Sequence, residues 1–191
     1  MNEHRHFDLH LGREITVYPM VERLFWVALG ILGVGVLGVL GYQINLNKLP
    51  FEAMTYTFSS LVAVHAVYML GWKRALSFFC LTLVISFVME YLGAKTGRIF
   101  GAYYYTEALN PKILGTVPVV IPFAYFMVLY PSRMIADLMV WGKAVGVTKG
   151  MGWSLLTATL AGLVMTAWDL TMDPVMVRQV EAWVWTEPGP W

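Results

Sequence analysis

Apolar runs long enough to cross a bilayer recur along this chain, separated by short clusters of charged residues, glycines and prolines. A hydrocarbon core about 30 Å thick needs about 20 residues of helix, because backbone groups in lipid must be satisfied inside the segment. Five stretches meet that length, near residues 22–42, 52–71, 74–93, 117–140 and 151–172. The pattern predicts an all-α, polytopic transmembrane helix bundle of about five spans. Residues 1–20 read as a polar tail and residues 21–191 as a single membrane-embedded domain, with no soluble domain and no internal repeat.

The fourth span is the least regular. Pro118 and Pro122 each remove a backbone donor, and Arg133 and Asp137 enter before its pattern ends, so a break is expected near Pro131. The link over residues 95–116 is long for a bundle connection and rich in Gly, Tyr and Thr, the kind of loop that carries function.

Composition agrees with the pattern: 58% of the 191 residues are hydrophobic and 13% charged, with a mean hydropathy of +0.62. The net charge of +1 comes from scattered residues, with no basic block, so nucleic acid is excluded as a partner. Cys80 is the only cysteine, which rules out an internal disulfide, and it reads as a small packing residue. His4, His6 and His10 lie in the polar tail, where nothing else supplies metal ligands, so no metal is expected. In a five-span arrangement the N-terminal side carries Arg5, Arg13, Arg23, Lys73, Arg74, Arg133, Lys143 and Lys149. The other side carries Lys48, Lys95, Arg98, Lys112 and Arg178. That excess places the N-terminus on the cytoplasmic side of the cell membrane.

Residues 33–38, GVGVLG, fit a dinucleotide-binding pattern by letter, but that pattern needs a strand before it within a βαβ unit. Gly30, Gly33, Gly38 and Gly41 instead share a ~140° arc at 100° per residue, a small-residue stripe for close helix packing.

Ionisable residues inside spans are costly and are candidates for function. Here they are Glu90, Asp169 and Asp173, together with His65 in the second span and the pair Arg133 and Asp137. Spans three and five run in the same direction, so their C-terminal ends emerge on one side. Glu90 stands about 24 Å along the axis from Arg74, and Asp169 about 26 Å from Gly152. Both acids therefore reach the same interface, with Asp173 one turn beyond Asp169 and Pro174 expected to end the helix. The 95–116 loop emerges there too, bringing Thr96, Phe100 and Tyr103, Tyr104 and Tyr105. Trp168, Trp183, Trp185 and Trp191 read as interfacial anchors, although Tyr and Trp at this depth can also flank a ligand. His65 reads either as a hydrogen-bonded core histidine or as part of the binding site.

A carboxylic acid in apolar surroundings can keep its proton near neutral pH, and a wetter carboxylate beside it can orient water. Such a pair suits acid chemistry on an isoprenoid double bond: protonation of one carbon, a tertiary cation at the next, then capture by water or loss of a proton.

Three ordered motifs carry a resemblance: EYLGAKTGRIFGAYYY at 90–105, VPVVIPFAYF at 117–126 and AWDLTMDPVMV at 167–177. Together, over residues 55–191, they resemble the membrane carotenoid hydratases of the gamma-carotene and bisanhydrobacterioruberin hydratase type, also called carotenoid biosynthesis proteins. The resemblance implies addition of water to the terminal double bond of an acyclic carotenoid end group, without a cofactor and without redox change. Its expected partners are the membrane-dissolved carotenoid, water, the lipid bilayer and other carotenoid-pathway enzymes. On this basis Glu90, Asp169 and Asp173 are the candidate catalytic residues, with Glu90 as proton donor and an aspartate holding the water. Tyr91, Thr96, Phe100, Tyr103, Tyr105, Trp168 and His65 are the candidate substrate-binding residues. Family members usually continue beyond this point into further helices, so the chain is expected to be C-terminally truncated. Two other readings compete: a non-catalytic carotenoid or isoprenoid carrier, and a lycopene cyclase-like enzyme, whose Pro-x-Glu element is similar to Pro50, Phe51 and Glu52.

Overall fold

The computed structural model describes residue 27, residues 51–145 and residues 150–187. The polar tail, the expected first span apart from residue 27, its glycine stripe and Trp191 lie outside the described residues. Within them the chain forms four helices long and apolar enough to cross a membrane: α1 (Phe51–Leu70), α2 (Trp72–Thr96), α3 (Val120–Trp141) and α4 (Met151–Arg178). They match the expected second to fifth spans.

The helices are built for lipid rather than water. On α2 the buried residues are Ala75, Thr82, Ser86, Glu90 and Gly93, which fall within an ~80° arc at 100° per residue. Leu76, Leu81, Val84 and Ile85 point outward and are more than half exposed. Small residues on the inner face let neighbouring helices approach closely, while large aliphatic side chains meet lipid tails. Hydroxyls in these spans are satisfied locally: Thr82 donates to the Phe78 carbonyl at 2.8 Å and Thr157 to that of Trp153 at 3.0 Å.

Gly71 alone joins α1 to α2. Helices α1, α2 and α3 pack against one another, and α4 lies mainly on α3. Between the first three, Phe126 is fully buried with Ala66 and Tyr130, and Phe79 meets Phe126 edge-on at 4.8 Å between ring centroids. A second cluster forms at the end of the bundle from Tyr103, Tyr105, Leu109, Val117, Ile121, Met176 and Ala182.

Several local expectations are corrected. Helix α3 runs through Pro131 and α4 runs through Pro174 to Arg178. A proline deletes one donor but leaves the rest of the ladder, and packing against other helices makes that loss tolerable in a span. Cys80 is exposed on the outer face of α2 and does not pack in the core.

The connection between α2 and α3 holds short strands as well as turns. Strand β1 (Tyr103–Tyr105) pairs antiparallel with β4 (Trp183–Trp185), and β2 (Lys112–Ile113) pairs antiparallel with β3 (Val117–Pro118). Two side chains tie this connection down. Lys112 Nζ donates to Glu107 Oε1 at 2.7 Å and to the Tyr105 carbonyl at 3.0 Å. Glu52 Oε1 accepts the backbone N–H of Asn110 at 3.0 Å, so the acid of the cyclase-like element anchors the loop.

Candidate active site

Glu90 stands on the inner stripe of α2 near its C-terminal end and is 5% exposed. A carboxyl buried in apolar surroundings needs hydrogen-bond partners, and here three tyrosines supply them. Tyr103 and Tyr105 donate to Glu90 Oε2 at 2.5 and 2.7 Å, and Tyr125 donates to Glu90 Oε1 at 2.6 Å. Short O–H···O contacts of this kind to a carboxylate are among the stronger hydrogen bonds in proteins.

The strand register explains why two of the three reach it. Alternate residues of a strand face the same way, so Tyr103 and Tyr105 turn inward while Tyr104 is 53% exposed. Across the ladder Tyr103 pairs with Trp185 and Tyr105 with Trp183, with ring centroids 5.3 and 6.0 Å apart. Burial, followed by the negative charge of Glu90, raises the pKa of both loop phenols well above the ordinary tyrosine value. They therefore keep their protons and remain donors.

Two glycines allow this close packing. A Cβ on Gly93 would lie 2.7 Å from the Phe100 ring. Gly101 has a φ of +91° and faces Trp185, whose ring would stand 3.0 Å from any Cβ placed there.

Beside the tyrosine cluster lies a cavity of about 380 Å³, between α3, α4 and the two paired strands. Glu90, Asp169 and Asp173 all line it. Glu90 and Asp173 lie within electrostatic reach of Asp169. The rest of the wall is mostly apolar or aromatic, including Phe100, Ile121, Met165, Trp168, Met176 and Trp185. Among the described residues no three His, Cys, Asp or Glu side chains stand close enough to hold a metal ion.

Of the residues singled out from sequence, the structure brings Glu90, Asp169, Asp173, Phe100, Tyr103, Tyr105 and Trp168 to this cavity. Three others stand apart from its wall. Tyr91 packs beside Phe87 and holds Lys95 over its ring. Thr96 bonds back to the Leu92 carbonyl at 2.7 Å. His65 contacts the Tyr130 hydroxyl through Nδ1 at 2.9 Å, within the aromatic core of the bundle. Asp137 is also separate, paired with Arg133 at 3.0 Å one turn away on α3.

Sequence reasoning missed Tyr125, Trp183 and Trp185 as parts of the site. Tyr125 had a signal, a phenol inside an apolar span, and so did WVW, whose alternation matches that of YYY.

Comparison with known proteins places the chain. The family model described as carotenoid biosynthesis protein matches residues 51–191. The bisanhydrobacterioruberin hydratase of Haloarcula japonica is 29% identical over 148 residues, covering 74% of this chain and 47% of the relative. The chain thus spans about half the length of the curated relative it matches. No solved structure matches. With the family match running over all four described spans and the whole cavity, the chain belongs to the carotenoid biosynthesis protein family.

Proposed function

We propose that this protein is a carotenoid hydratase, binding one end of an acyclic carotenoid in the cavity and adding water across its terminal carbon–carbon double bond. One observation carries the reading: three carboxyl groups, Glu90, Asp169 and Asp173, meet in one apolar-walled cavity beside a helix bundle built for lipid. The name of the Haloarcula relative supports the same reaction class.

The hydrogen bonding redistributes the roles expected from sequence. Glu90 accepts from three phenols and is held as a hydrogen-bond acceptor, so the proton donor in this proposal is Asp169 in its carboxylic acid form. Its proton goes to the less substituted alkene carbon, the π pair forms the new C–H bond, and a cation is left on the carbon bearing two methyl groups. Glu90 and the aromatic faces of Trp168 and Trp185 stabilise that charge. A water held by Asp173 forms the C–O bond and gives a proton to the carboxylate, and proton exchange through water restores Asp169. One water is added and no electrons are gained or lost.

The test is pigment analysis of a lycopene-producing host expressing the chain with Glu90→Gln, Asp169→Asn or Asp173→Asn. Loss of hydroxylated product in each is expected. Normal yields from all three would remove the mechanism, bound pigment without any hydration would favour a carrier, and a cyclised product would favour the cyclase-like reading.

A further inference from the structure

The cavity is too short for the whole length of a carotenoid. Along α4 the lining residues run from Met165 to Met176, a rise of about 16 Å, near half the thickness of the bilayer core. Towards the start of α4 the helix closes on its neighbour instead, with Thr157 and Ala161 buried at 0% and 4% exposure. The remainder of a long substrate therefore lies outside, past Phe100, Trp168 and Leu170, which are 39%, 47% and 54% exposed.

Nothing in the part that is enclosed requires conjugation. Protonating a terminal dimethylvinyl group gives a tertiary cation whether a polyene or a saturated link follows it. Four methionines, Met127, Met165, Met172 and Met176, line the space, and flexible thioether side chains adapt to ligands of differing shape. Resting on the hydratase reading above, we infer that the site recognises the dimethylvinyl end alone, and that the protein also hydrates non-conjugated acyclic isoprenoid hydrocarbons dissolved in the membrane. The step is the one already written: a proton from Asp169 to the CH carbon, water oxygen to the dimethyl carbon, and a proton returned to carboxylate.

The experiment uses the full chain in phosphatidylcholine nanodiscs with heavy-oxygen water, supplied separately with lycopene and with squalene, which has the same ends but no conjugation. Mass spectrometry should show labelled hydroxyl on both, with squalene turning over within roughly tenfold of lycopene, and loss of both activities in Asp169→Asn. Labelled lycopene with unlabelled squalene overturns the inference and leaves the carotenoid reading intact, as does squalene that slows lycopene hydration without gaining water. Absence of label on both, with pigment bound, overturns the hydratase reading and this inference together.

Discussion

Tyr125 of α3 donates its phenolic hydrogen to Glu90 Oε1 of α2 at 2.6 Å, joining two spans at the wall of the cavity. Tyr103 and Tyr105 reach the other oxygen from a strand, so the carboxyl is fixed from two separate elements. A group held this way keeps its position while a ligand enters beside it.

Removing one of the three donors should therefore show in activity. A hydrogen bond to a charged group contributes about 1.5–3 kcal/mol, so Tyr125→Phe is expected to slow hydration by roughly ten- to a hundredfold. Turnover of lycopene by purified variants measures this. An unchanged rate would mean that the orientation of Glu90 does not matter to the reaction.

The two loop phenols give a pH signature at the alkaline end. Their pKa values are raised in the folded protein, so their contribution to stability is complete below the ordinary tyrosine value of about 10. It is lost as pH rises from there through the folded values. Melting in detergent should be flat with respect to these groups below about pH 10 and fall above it. The double variant Tyr103→Phe, Tyr105→Phe should show a shallower alkaline fall.

Gly93→Ala tests the packing of the cavity wall. Helix propensity alone favours Ala over Gly by about 1 kcal/mol, but the new methyl would meet the Phe100 ring at 2.7 Å and force it to move. Activity should fall more than thermal stability, because Phe100 lines the cavity and its exposed side leaves it room to shift. Pairing the change with Phe100→Leu should restore part of the rate. If it does not, the Phe100 contact is not the cause.

Asp169 and Asp173 stand one turn apart on α4 and should separate by role. In a mechanism where Asp169 donates and Asp173 holds water, Asp169→Asn stops proton incorporation altogether. Asp173→Asn leaves residual protonation that ends in proton loss, seen as deuterium exchange into unhydrated carotenoid in heavy water. Equal loss of exchange in both variants would remove this division of labour.

Part of this site was legible in the sequence because spans impose direction. Glu90 and Asp169 had to share a membrane face once two intervening crossings were counted. The continuity of α3 and α4 through Pro131 and Pro174 was not legible, since a proline reads as a break unless neighbouring helices are known to support it.

By itself the sequence determined the membrane setting, the run of the described spans, the side on which the acids gather and the family. Each of these follows from local hydrophobic length or from short motifs. Only the tertiary structure decided how the site is closed. The pairing of Tyr103–Tyr105 with Trp183–Trp185, the third phenol from Tyr125 and the exclusion of His65 from the cavity depend on contacts between segments far apart in the chain. Strands of three residues are too short to announce their partners, and the three hydrogen bonds to Glu90 appear only once those partners are in place.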